Sequence, residues 1–244
     1  MVLNFPDYVS VDLIHNVGVL IGAFVILAVL YEFIRWRGVL SPIAKGFRLG
    51  AGRWLNIFVG TIANDVVYQQ ISPKCPDRKW VSHSLIFWGF LLLSASTALN
   101  YVTNPGGGLL PLTDPVRILG NLGGLILLAG LVIVILLISM DPNKREVTFA
   151  ADYLFGALLV LAGVTGFLTE FVSELNAVEW IYAVYVIHLL SSAALLVLAP
   201  FTRFIHAFGR PVIRLAERYI EALSRDGLMK PSEITVMPLL SEAT

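Results

Sequence analysis

Ile118-Leu-Gly-Asn-Leu-Gly-Gly-Leu-Ile-Leu-Leu-Ala-Gly-Leu-Val-Ile-Val-Ile-Leu-Leu-Ile138 contains no charged residue. Wound as a helix at about 1.5 Å per residue, it covers a hydrocarbon core about 30 Å thick. Four more stretches have the same character, so spans are expected near 13–34, 80–102, 117–139, 149–171 and 179–201. Composition agrees: 57% of the 244 residues are hydrophobic and 14% charged, with a mean hydropathy of +0.79, against about 25% charged in soluble domains. The expected fold is an all-α membrane protein, a bundle of five transmembrane helices. The first stretch should persist as a helix, because no Lys or Arg precedes Arg35 and no small-residue cleavage site follows.

Lys plus Arg and Asp plus Glu number 17 each, so nothing in the net charge points to nucleic acid. Position carries the signal instead. Of the basic residues, all but Arg117 fall in alternate connections and the tail: Arg35 to Lys79, Lys144 and Arg145, and Arg203 to Lys230. The positive-inside rule then places the N-terminus outside and the C-terminus in the cytoplasm.

The long first connection mixes apolar residues with Lys45, Arg48, Arg53 and Asp65 between Ile43 and Ile71, and is expected to form an amphipathic helix on the inner surface. A sixth span would sink those charges into lipid at several kcal/mol each. In the tail, Val212, Leu215, Tyr219, Ile220 and Leu223 recur at helical spacing between Pro211 and Leu223, which predicts a second surface helix or a dock for a partner. Residues 1–210, including the 37–78 segment, are therefore expected as the membrane domain and 211–244 as a cytoplasmic helix and tail. Asp152 should pair with Lys144 or Arg145, and Trp36, Trp54, Trp80 and Trp180 should anchor at interfaces. Asn104-Pro-Gly-Gly-Gly reads as an outer turn.

Glycines recur inside the spans: Gly18 and Gly22, Gly120, Gly123 and Gly124, then Gly156, Gly163 and Gly166. They suit close helix packing or room for a flat macrocycle, and the sequence alone does not choose. A single cysteine, Cys75, excludes an iron–sulfur cluster held by this chain alone. No nucleotide-binding, serine-hydrolase or zinc-protease motif is present. Any redox chemistry falls to the four histidines, His15, His83, His188 and His206.

His188 and His206 are spaced by about five helical turns, so on an unbroken helix they face the same way about 27 Å apart, with Pro200 expected to bend that end. Counting rise from the first basic residue of each span puts His83 about 6 Å deep, with His206 at the same boundary. His188 comes out about 22 Å deep and His15 about 30 Å. His83 and His206 form the inner pair. His15 is the nearest histidine for His188, offset by about 8 Å, and is also a candidate to bind a quinone. Asn100, Tyr101, Glu170 and Tyr182 could hydrogen-bond a quinone beside it. Arg203, Arg78 and Lys79, and outside Arg117, are candidates to face carboxylate groups of a cofactor.

His188-Leu-Leu with Pro200-Phe-Thr-Arg-Phe-Ile-His206 and Arg210-Pro-Val-Ile-Arg-Leu-Ala-Glu-Arg-Tyr219 resembles the last span and tail of the gamma subunit of respiratory nitrate reductase, a five-span, di-haem b cytochrome. Asp77-Arg-Lys-Trp-Val-Ser-His83-Ser-Leu-Ile-Phe-Trp-Gly89-Phe and the run from Ala151-Asp152 to Thr165-Gly166-Phe-Leu-Thr-Glu170 are more similar to the membrane cytochromes of heterodisulfide reductases and sulfite-reducing complexes. The resemblance implies a quinone-reactive membrane anchor in the cell membrane that exchanges electrons with a cytoplasmic iron–sulfur or molybdenum-containing subunit. By residue it implies His83 and His206 on an inner haem b and His188 on an outer one. In nitrate reductase gamma subunits a second histidine follows ten residues after the first in span two, where this chain has Leu93. Two haems are expected and one is the alternative, with His15 substituting as the outer ligand on depth alone. The rival readings are a cytochrome serving a membrane-bound hydrogenase or similar complex, and a haem-free structural or transport protein.

Overall fold

The computed structural model of the chain describes residues 10–35, 49–69, 77–141, 150–175 and 178–228. Among the described residues there are helices and no strand. Five helices are long and apolar enough to cross a membrane: Val11–Arg35, Lys79–Thr103, Pro115–Ser139, Tyr153–Glu174 and Trp180–Phe201. The chain is thus an all-helical, multi-pass membrane protein. We number the helices α1 (Val11–Arg35), α2 (Ala51–Thr61), α3 (Asp77–Thr103), α4 (Pro115–Ser139), α5 (Ala150–Glu174), α6 (Val178–Leu198) and α7 (His206–Arg225).

Local chemistry sets the helix ends. Ser10 Oγ accepts the Leu13 amide at 3.4 Å where α1 begins. Asp114 caps α4 by accepting the Val116 amide at 2.8 Å, with Pro115 in the first turn where its missing N–H costs nothing. Before it, the predicted turn forms: Gly107 donates to the Asn104 carbonyl and takes φ +65°, which suits glycine, while the Asn104 side chain donates to Gly108 O at 2.7 Å.

At the far end of α6, Pro200 falls in a short 3-10 turn and Thr202 is extended (φ −109°, ψ 179°). The helical ladder is therefore broken between His188 and His206, and α7 starts afresh at His206. The bend expected at Pro200 is thus present, and the five-turn, same-face relation between the two histidines, which requires an unbroken helix, does not apply. The start of the tail helix lies before Pro211 rather than at it.

Contacts divide the chain into two units, Met1–Val25 with Cys75–Thr202, and Ile26–Lys74 with Arg203–Thr244.

In the first unit α3, α4, α5 and α6 pack in that order as a row, with α3 against α4 the closest pair. Glycines make this possible. A Cβ on Gly89 would lie 2.5 Å from the Leu127 backbone nitrogen, and one on Gly123 would lie 2.9 Å from Leu93 N. Gly130 abuts Ile86 N in the same way, and Ser96 ties the pair by donating to the Val116 carbonyl at 2.8 Å. Of the predicted glycines, Gly124 and Gly163 lie against Phe167 and Leu128, so these serve helix packing; Gly18, Gly22 and Gly156 have nothing within 4 Å. Leu127, Leu131, Leu159 and Leu195 form the core, flanked by Phe90 and Leu93. By contrast α1 has no buried residue. Within this unit it meets the others through His15 on Tyr101 and Phe24 on Phe201.

Gly89→Ala should therefore lower the thermal midpoint of the detergent-purified chain by forcing α3 off α4, at a cost of about 1–3 kcal/mol. Gly156→Ala, which meets open space, should leave the midpoint unchanged. Thermal unfolding followed by size exclusion reads both.

In the second unit α2 continues as a π-helical turn, Ile62–Val67, and packs on α7. Leu49, Tyr219 and Leu223 are buried between them with Trp54 and Ile57 around. Trp54 is thus part of a helix–helix core, stacked on Phe58 at 5.3 Å, rather than a free interfacial anchor. Asp65 pairs with Arg218 at 2.9 Å, and Arg218 also donates to Thr61 Oγ1 at 3.2 Å. Arg53 pairs with Asp226. Trp36 and the ends of the predicted 43–71 helix lie outside the described residues, as do the side chains needed for an Asp152 ion pair.

Candidate functional site

His188 sits at the middle of α6 against the small-residue face of α5. That face is built from Ala162, Thr165, Gly166, Thr169 and Ser173, which share one side of the helix at three- and four-residue spacing. A Cβ on Gly166 would come within 3.2 Å of His188 Cε1, so the glycine admits the ring. His188 Nδ1 is 3.0 Å from the Ala162 carbonyl and 3.3 Å from Thr165 Oγ1. A carbonyl only accepts, so Nδ1 carries the hydrogen. Thr165 donates its own hydrogen to Leu161 O at 2.6 Å and so faces Nδ1 as an acceptor. The ring is held in one tautomer and one orientation, and its Nε2 keeps its lone pair with no hydrogen bond among the described residues.

No protein-family model matches the chain, nor does any curated protein or solved structure.

An imidazole whose Nδ1–H is tied to a carbonyl and whose Nε2 is free is the arrangement metal-ligating histidines use. Among the described residues no three His, Cys, Asp or Glu side chains gather as they would for a protein-only metal cage. A haem needs no such cage, since its macrocycle supplies four nitrogens and the protein only the axial positions. The helices bearing His83 and His188, α3 and α6, are the two ends of the packed row. The residues around His188 therefore fit one axial ligand of a haem.

The second ligand is less well served. Chained contacts set the level of each residue along the bundle: Leu93 meets Gly123, the adjacent Gly124 meets Phe167, and the neighbouring Gly166 meets His188. Leu93 is thus level with His188 and is packed into the leucine core. His15 instead lies edge-on to Tyr101, ring centroids 4.6 Å apart. Tyr101 is eight positions beyond Leu93, about 12 Å further toward the end where α3 stops and α4 starts. The structure does not bring His15 level with His188. It does bring His15 to Tyr101, while Asn100 accepts from the Asn104 side chain at 3.2 Å.

His83 is half-buried in α3 of the first unit, beside the buried Ser82. His206 opens α7 in the second unit. The side chains of His206, Arg203 and Arg78 lie outside the described residues, and Lys79 is exposed.

Arg117 has a role the sequence reading missed. From the first turn of α4 its Nε donates to Glu170 Oε1 at 2.7 Å, one terminal nitrogen to Glu174 Oε1 at 2.7 Å, and the other to the Leu110 carbonyl at 2.6 Å. Asn121 adds a bond to Glu170 Oε1 at 2.8 Å. Every guanidinium nitrogen is engaged by the protein, so Arg117 is a strut between α4 and α5 rather than a partner for a cofactor's carboxylates. Glu170 likewise is held by Arg117 and Asn121. The signal in the sequence was an arginine set apart from the other basic residues together with Glu170 and Glu174, four residues apart and so on one face of their helix.

Proposed function

We propose that the chain is a membrane-anchor b-type cytochrome subunit that passes electrons between a quinone and a cytoplasmic iron–sulfur or molybdenum-containing partner. The observation that carries this reading is the fixed His188 ring, with Nδ1–H on the Ala162 carbonyl, Thr165 beside it and Nε2 free. The resemblance of the His83, His188 and His206 segments to nitrate reductase gamma subunits and heterodisulfide reductase cytochromes supports it. So does the distribution of Lys and Arg, which is the pattern expected of an outside N-terminus and a cytoplasmic C-terminus.

In this reading haem b supplies one-electron transfer across the low-dielectric interior. His188 would be a ligand to one haem, and the resemblance makes His83 and His206 the candidate ligands of the other, with Arg203 the candidate to face its carboxylates. The Ala162 carbonyl and Thr165 hydroxyl, both accepting from Nδ1–H, keep the His188 imidazole electron-rich, so as a haem ligand it would favour the oxidised state. His15 and Tyr101, which meet near the outer end of the bundle, are better placed to hydrogen-bond a quinone than to complete the His188 site. The tail helix α7, where Arg214 pairs with Glu217 at 2.8 Å and Arg225 with Glu221 at 2.6 Å, would offer the cytoplasmic partner a face of mixed charge.

Haem content of single variants tests the assignment. His83→Ala and His206→Ala should each remove the same haem while the protein stays inserted; unchanged haem content in both contradicts the inner pair. The filled glycine faces of α3 and α4 and the leucine at position 93 favour a second reading with one haem per chain.

A further inference from the structure

Helix α2 has three faces, only one of which is accounted for. Trp54, Ile57 and Thr61, at i, i+3 and i+7, face α7 and its buried Tyr219 and Leu223. Arg53, Asn56, Gly60 and Asn64 make a polar and small face. Between them Leu55, Phe58, Val59 and Ile62, at i, i+3, i+4 and i+7, form an apolar line that is 55%, 37%, 54% and 39% exposed. Contiguous exposed apolar surface of this kind marks a contact rather than a water-facing side.

We infer that α2 lies on the bilayer with Leu55, Phe58, Val59 and Ile62 sunk into the boundary between headgroups and acyl chains, so that the α2–α7 pair is a membrane-surface anchor. Two observations select lipid as the occupant. The same unit includes Ile26–Arg35, the end of the first span, whose Ile26, Leu27, Leu30 and Ile34 are 62%, 65%, 51% and 63% exposed. The segment holding α2 leaves the membrane after Arg35 and re-enters it at Lys79, so the apolar phase is at hand on both sides. The stripe itself is three aliphatic residues and a phenylalanine, with no hydrogen-bonding group and none of the Trp, Tyr or Arg anchors that concentrate binding energy at protein interfaces. Acyl chains and headgroup edges ask for that featureless apolar line opposite a polar face. Phe58 is held in place by its stacking on Trp54. The inference uses the membrane-spanning character of the chain and is independent of the haem.

The test is a spin-label accessibility scan of the full chain in vesicles of phosphatidylethanolamine and phosphatidylglycerol, on a Cys75→Ser background. Leu55→Cys, Val59→Cys and Ile62→Cys report the stripe, Asn56→Cys the polar side, and Leu20→Cys in α1 the lipid control. Stripe labels should collide several-fold more with oxygen, which partitions into lipid, than with an aqueous nickel chelate, and the polar-side label at Asn56→Cys should do the reverse, with Gly52→Cys, seven residues before Val59, marking the edge of the stripe. Stripe labels as open to nickel as the polar side would overturn the inference, because the face would be wet. Stripe labels shielded from both reagents would also overturn it, because protein would then cover the face. If Leu20→Cys itself were open to nickel, the membrane span would be at fault and not the surface anchor.

Discussion

Replacing His188 by alanine is expected to abolish the haem signal of the α6 site: half of the total in a two-haem chain, all of it in a chain whose one haem uses this ligand. The Nδ1–H bond to Ala162 and the close seat on Gly166 leave the ring one orientation, so no neighbouring group can substitute. His188→Met should keep a haem and raise its potential, since a thioether favours the reduced iron relative to imidazole. Redox titration of the absorbance difference separates the two variants. Haem content unchanged in His188→Ala would remove the residue from the site.

The second large effect belongs to Arg117. Its side chain is 10% exposed and serves Glu170, Glu174 and the Leu110 carbonyl at once. Arg117→Ala would leave two carboxylates on one face of α5 with Asn121 as the remaining donor to Glu170. Breaking a buried pair by removing one partner costs about 3–5 kcal/mol. Glu174 is 45% exposed and hydrates readily, so about 2–3 kcal/mol is expected here. Arg117→Lys should recover only part, because one ammonium cannot span three acceptors in a planar fork. Thermal unfolding in detergent measures both variants, and the haem spectrum should change little in either.

The five spans were legible because hydropathy over a bilayer's thickness is a property of the sequence itself. The expected bounds 80–102 and 117–139 differ from Lys79–Thr103 and Pro115–Ser139 by two residues or fewer. What hydropathy does not encode is the partner of a face. The inward face of α2 and the repeat on α7 were each readable as amphipathic, yet that Trp54 and Ile57 would meet Tyr219 and Leu223 depends on tertiary packing. The glycines show the same limit: Gly123 and Gly156 look alike in sequence, and the helix facing one and not the other decides their roles.

At the site, His188 was visible as an ionisable residue deep in a span. Its fixing groups were not, because the Ala162 carbonyl is a backbone atom and Thr165 reads as a small packing residue. The bend expected from Pro200 falls where the sequence puts it: α6 ends there and the chain becomes extended at Thr202, so the five-turn relation to His206 does not apply. His15 was placed by depth arithmetic that left an offset of about 8 Å. The contact with Tyr101 gives about 12 Å, because depth counted from one end ignores where the helices meet.

The central claim is that this chain holds haem b. The most direct measurement is a dithionite-reduced minus oxidised optical spectrum of the purified full chain, made with adequate haem supply, with the haem extracted and counted against protein. The account predicts a b-type difference spectrum with one or two haems per chain. A chain that is folded, inserted and free of haem under those conditions would contradict it.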